Sequence, residues 1–165
     1  MFLKNYTSEV PVPTTIMRIE QTLIHCGVKG IEKEYQRDGK VDALTFTIDV
    51  GDNHPMRVKL PVREEEVLER MWREYVGVSP VSKDGQSVDD HPHVKRKVRE
   101  DFRAQAQRTA WRIMQDWVEI QMSLILLKQA DVREVFLSYI MVGKKTVFEI
   151  ARDSHFKALL PEKTS

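Results

Sequence analysis

Residues 94–130 contain neither proline nor glycine. An uninterrupted run of that length constrains this chain more than any other feature, because those two residues are the strongest helix breakers. Good helix formers fill it, among them Ala104, Gln105, Ala106, Gln107, Ala110, Met114, Leu124 and Leu127. At about 1.5 Å per residue, one helix over the whole run would reach about 55 Å. A compact domain of this chain length is only about 30 Å across. The run is therefore expected to be a central strut whose two halves do different work. Its first half is basic and sparsely apolar, and residues 113–127 are apolar on more than one face.

At about 100° per residue the faces separate. Phe102, Ala106, Ala110, Ile113, Trp117, Ile120, Leu124 and Leu127 fall on one, and Trp111, Met114, Val118 and Ile125 on an adjoining second. A polar arc holds Asp101, Arg108, Arg112, Gln115, Asp116 and Glu119. A stripe this wide needs cover from two sides. The first face is expected in the core. The Trp111, Met114, Val118 and Ile125 face either joins that core or forms an oligomer or partner seam.

The near-neutral net charge of +1 hides a split. Up to residue 93 the chain carries 12 Lys and Arg against 16 Asp and Glu, and beyond it 14 against 9. Most of the excess sits at the start of the long run, in Lys95, Arg96, Lys97, Arg99, Arg103, Arg108 and Arg112. Clustered positive charge on one helix suits phosphate backbones or an acidic partner. The competing reading is a solvated helical face.

The remaining chain reads as an α+β fold. Pro11 and Pro13 close an extended opening arm, and Thr14 or Thr15 is placed to cap a helix carrying Ile16, Ile19, Leu23 and Cys26. Gly27 is placed to end it in the left-handed conformation. Ile31, Lys33 and Tyr35 alternate with Glu32 and Glu34, and Asp38-Gly39 predicts a tight two-residue hairpin turn. Leu44, Phe46, Ile48 and Val50 then alternate with polar residues, as do Met56, Val58 and Leu60. The expected sheet is a three-stranded antiparallel meander with one buried face. A helix over residues 63–75 follows, its acidic Glu64-Glu65-Glu66 start suited to the helix dipole. Residues 76–93 read as a loop or linker. The expected organisation is thus an α-β-β-β-α unit over 1–75, a linker over 76–93 and a helical part over 94–165. Within that part Asp131-x-x-Glu134 and Thr146-x-x-Glu149 read as capping boxes, with Gly143 ending the first of the two helices.

Catalytic signatures are lacking. There is no glycine-rich phosphate loop, no Gly-x-Ser-x-Gly and no His-Glu-x-x-His. His91-Pro92-His93, after Asp89 and Asp90, has no helical or strand ligand spacing, and a lone Cys26 beside His25 makes no nucleophile pair. No enzyme activity, cofactor or metal is expected. The longest apolar run, Leu124 to Leu127, is far short of a membrane span, and the opening residues carry no secretory apolar core.

Two resemblances follow. The order helix, three strands, helix over residues 14–75 resembles the double-stranded RNA-binding domain, in topology only. Where that family grips phosphate, this chain has Arg63-Glu64-Glu65-Glu66, which repels it. The second rests on Ala106-Gln107-Arg108-Thr109-Ala110-Trp111-Arg112, Asp116-Trp117-Val118-Glu119, Gln121 and Glu134-Val135-Phe136-Leu137-Ser138-Tyr139, with Val10-Pro11 and Leu44-Thr45-Phe46. These resemble an uncharacterised family of small proteins encoded by bacteriophages and prophages. That resemblance implies an accessory protein in the cytoplasm of a bacterial host. The resemblance names no ligand; the basic cluster leads to the expectation of nucleic-acid binding through the basic helix in phage DNA or RNA metabolism, with a protein-binding module, such as an inhibitor of a host nuclease or defence system, as the alternative.

Overall fold

The computed structural model describes residues 3–51, 54–78 and 97–157. The elements run α1 (Val12–His25), β1 (Gly30–Tyr35), β2 (Val41–Asp49), β3 (Pro55–Lys59), α2 (Glu64–Val78), a 3-10 turn (Arg99–Phe102), α3 (Arg103–Leu126), α4 (Val132–Phe136), a 3-10 turn (Leu137–Tyr139), β4 (Met141–Val142), β5 (Lys145–Thr146) and α5 (Val147–Asp153). This is the mixed α+β order the sequence predicts. Residues 76–78 belong to α2, and the rest of the expected linker lies outside the described residues.

The contacts group the chain into two compact units. One compact unit comprises Met1–Met17 and Arg63–Asp116, the other Arg18–Val62 and Trp117–Ser165. Both α1 and α3 are unbroken helices that supply residues to both units, so chain order does not separate them.

In the first unit α2 and the opening of α3 share an apolar cluster of Leu68, Met71 and Ala106, with Leu3, Val67 and Phe102 against it. Trp72, Tyr75 and Phe102 form an aromatic group, with Tyr75 and Phe102 centroids 5.2 Å apart. Trp111 is fully buried, and its Nε1 donates to Glu64 Oε1 at 2.9 Å. Gln107 Nε2 donates to the other oxygen of Glu64 at 3.0 Å. The acidic start of α2 thus anchors α3 as well as opening its own helix.

In the second unit the sheet has the order β1-β2-β3, antiparallel throughout, with Phe46 opposite Ile31 on one side and Val58 on the other. Leu44, Phe46, Ile48, Met56, Val58 and Leu60 are buried as the alternation predicts, while Val50 is half-buried. The sheet is not open on its other face, however. Ala43 and Thr45 are buried too, because β2 is the central strand. Above it the pairs Glu32–Arg57 (2.7 Å) and Glu34–Lys59 (3.0 Å) straddle β2 from its two neighbours, and their aliphatic stems cover what lies beneath. Phe46 meets Phe136 edge-on at 5.3 Å, and Phe136 meets Trp117 at 5.6 Å. Phe136 closes the five-residue α4, whose start is the expected capping box at Asp131. The second box, at Thr146, opens α5.

Several local expectations are corrected. The helix α1 starts at Val12, ahead of both threonines, with Pro13 in its first turn where a missing N–H costs nothing. The β1–β2 turn is not a two-residue one: Gln36 N–H donates to the Lys40 carbonyl and Gly39 N–H to the Gln36 carbonyl. Only Gly39 takes a positive φ, +83°, while the Asp38 carboxylate accepts from Lys40 N–H. That is a three-residue loop with a bulge, which needs one left-handed residue and not two. Gly143 ends no helix. It takes φ +64° as the first residue of the two-residue turn joining β4 to β5.

The helix α3 spans 24 residues, about 36 Å. It stops short of residue 130 because Lys128 takes φ +56°, with Lys128 N–H on the Ile125 carbonyl and Gln129 N–H on the Leu124 carbonyl. Gly27 closes α1 with the same pair of bonds. A lysine in that conformation is strained by its Cβ, and glycine is not. Lys128→Gly is therefore expected to stabilise the protein by up to about 1 kcal/mol, read as a rise in the urea midpoint at unchanged slope. A fall in the midpoint would mean that Lys128 holds contacts worth more than the strain.

Candidate interaction surfaces

The basic run opens α3. Lys95 and Arg96 lie outside the described residues, as do His91 and His93. Lys97 places its ammonium 5.6 Å from the centroid of the Phe102 ring. Glu65 and Glu69 are one turn apart on α2, while Arg99 opens the 3-10 turn that leads into α3 and Arg103 is the first residue of α3. The two ladders meet: Arg99 pairs with Glu65 (3.0 Å) and Glu69 (3.5 Å), and Arg103 pairs with Glu65 and Glu100. Hydrogen bonds from Arg103, then Arg99, hold the Glu65 carboxyl below the usual range. Arg73, then Arg99, does the same for Glu69. Glu100, then Glu65, raises the already high pKa of Arg103. A shallow, open depression of about 520 Å³ runs beside this ladder, lined by Glu65, Glu66, Glu69, Arg70, Arg73 and Arg99. Its charges alternate in sign.

Arg108 and Arg112 are engaged elsewhere. Arg108 Nε donates to the Ser8 carbonyl at 3.1 Å, and its other nitrogen to Gln105. Arg112 donates to Gln115 (2.9 Å) and lies 3.5 Å from Asp116. Burial alone would raise the Asp116 pKa. Hydrogen bonds from Lys4 and Asn5 and the charge of Arg112 together outweigh it and leave the carboxyl below its ordinary value.

Exposed ion pairs contribute little to stability, about 0–1 kcal/mol each. Their effect on the surface field is larger. A phosphate approaching Arg99 or Arg103 also approaches Glu65, Glu69 and Glu100, so the positive field of those two arginines is reduced by their partners.

Trp111 and Val118 have no exposed surface and Met114 is 7% exposed, all enclosed by the chain itself, while Ile125 is half-buried. Side chains already enclosed within one chain have no area to offer a second copy. The expected core face is corrected in turn, since Ile120 and Leu127 are 55% and 67% exposed. The buried stripe of α3 runs through Ala106, Ala110, Trp111, Met114, Val118 and Met122. Met122 is the member that face-by-face reading of the sequence misses.

In the second unit, α5 packs on the 3-10 turn Leu137–Tyr139 and on β5, which pairs with β4. This small assembly leaves Leu137 (56%), Val142 (55%), Phe148 (37%) and Ile150 (41%) open to solvent. Half-buried Cys26 has its thiol pushed up by burial, away from thiolate chemistry. Among the described residues no group of three His, Cys, Asp or Glu is placed to hold a metal ion, and no helix is long and apolar enough to cross a membrane. A scan against protein-family models and searches of curated proteins and of solved structures find nothing that matches this chain.

Proposed function

We propose that the chain is a non-enzymatic accessory protein that docks on another protein, as a phage or prophage product directed at a host nuclease or defence system would. The observation that carries the reading is the set of large apolar side chains left open on one packed assembly: Leu137, Val142, Phe148 and Ile150. Single exposed apolar residues are ordinary; the reading takes four of them on one small assembly as separate anchors around a docking surface. Aromatic and aliphatic anchors of this kind supply most of the energy of protein interfaces. The nucleic-acid reading needs a surplus of positive charge, and Arg99 and Arg103 share theirs with Glu65, Glu69 and Glu100.

The experiment is affinity capture from a bacterial host with the wild type, with Phe148→Asp plus Ile150→Asp, and with Arg99→Glu plus Arg103→Glu. The expected result is a stoichiometric protein partner that the first double variant loses and the second retains, with both variants folded by circular dichroism. Retention by the first and loss by the second would overturn the reading.

A further inference from the structure

Residues 3–8 lie along one polar stripe of α3. Gln105 Nε2 donates to the carbonyls of Tyr6 (2.8 Å) and Ser8 (3.0 Å). Arg108 Nε donates to the Ser8 carbonyl, and Thr109 Oγ1 to the Asn5 carbonyl at 3.1 Å. Two turns further along, Asp116 accepts from Asn5 Nδ2 at 3.0 Å and pairs with Lys4 Nζ at 2.8 Å. Positions 105, 108, 109, 112 and 116 share a helical face. The helix thus presents three donors to three main-chain carbonyls, followed by one carboxylate for an amide or a cation. This is how a surface reads an extended peptide: main-chain bonds give affinity with little regard to sequence, and one charged end sets a preference.

The hold on this segment is weak by construction. Its polar bonds replace bonds to water and contribute little net. Lys4 is 65% exposed at its ion pair. Leu3 reaches the apolar cluster, but Lys4, Tyr6 and Thr7 are exposed. Asn5 sits at φ +62°, a conformation asparagine tolerates better than most residues. Segments with few buried apolar contacts open locally while the rest of the structure stays folded.

We propose that residues 3–8 are a releasable strap, and that the uncovered strip of Gln105, Arg108, Thr109 and Asp116 takes an extended peptide segment of another molecule, with an amide or basic side chain facing Asp116. The inference stands apart from the apolar assembly around Phe148 and survives if that reading fails.

Thr109 is fully buried, so a thiol placed there reports release. In a Cys26→Ser background, Thr109→Cys is labelled with a disulfide reagent under native conditions, across a series of sub-denaturing urea concentrations. Val118→Cys, fully buried on the same helix, reports global unfolding. The expected result is labelling of Thr109→Cys that barely depends on urea and is at least about tenfold faster than that of Val118→Cys. Lys4→Ala with Asn5→Ala should accelerate it by about a further tenfold and leave Val118→Cys unchanged. A synthetic peptide of residues 3–10 should slow it in proportion to its concentration. Labelling of both thiols with the same urea dependence would overturn the strap. Strap release that a millimolar excess of the peptide does not slow would overturn the peptide site.

Discussion

Phe46→Ala is expected to destabilise the protein by about 3–5 kcal/mol, the range for removing an enclosed aromatic ring. Phe46 is fully buried in the central strand, and its ring meets Phe136 edge-on. The loss has two parts: apolar surface returned to water, and a cavity that the neighbours cannot close. β2 is held in register on both sides, so the strand cannot shift to fill the hole. Tyr35→Ala on the adjoining strand is the control. Tyr35 is 63% exposed, and its loss should stay within about 0.5 kcal/mol. Urea denaturation of both variants checks this. A Phe46→Ala loss below about 1 kcal/mol would place the ring at a surface.

Trp111→Ala should cost as much, about 3–5 kcal/mol, and Trp111→Phe isolates the polar part. The phenyl ring keeps most of the apolar contact and removes the indole N–H, so Glu64 loses one of its two described donors. Leaving a half-buried carboxylate short of a donor costs about 1–3 kcal/mol. The measurement is urea denaturation at two protein concentrations tenfold apart. Losses independent of concentration are expected, because Trp111 is enclosed by its own chain. Losses that grow on dilution would return Trp111 to an oligomer seam.

Elements whose signal is local were legible in the sequence. The strand alternation of Leu44, Phe46 and Ile48 survives in the structure because the pleat has a period of two whatever packs above it. Gly27, the Asp131 box and the Thr146 box are each read from neighbours within three or four residues, and each is found where expected. Lys128 and His155 were not legible as helix ends. Both take positive φ without being glycine, so residue type does not announce them. The phase of α3 was misread for a related reason. Trp111 and Ile120 are both apolar on a helical wheel, and the contacts that set Trp111 apart, such as the Glu64 carboxylate on its indole N–H, come from 47 positions away. Charge counting likewise saw seven basic residues within positions 95–112 and could not see Glu65 and Glu69 placed one turn apart to meet two of them. The contacts of residues 3–8 were the least legible, since α3 reads their main-chain carbonyls, which every sequence has.

The paired arginines at the opening of α3 are not expected to act as a phosphate-binding surface. Fluorescence anisotropy with labelled single- and double-stranded DNA and RNA, across a salt series beginning at low ionic strength, tests that directly. With Arg99 and Arg103 paired to Glu65, Glu69 and Glu100, and Arg108 and Arg112 bonded within the first unit, the anisotropy should stay flat to tens of micromolar protein. A rise whose affinity falls with salt at about −0.7 to −0.9 per phosphate contact, and which Arg99→Glu with Arg103→Glu abolishes, would contradict the account and make the basic helix the binding surface.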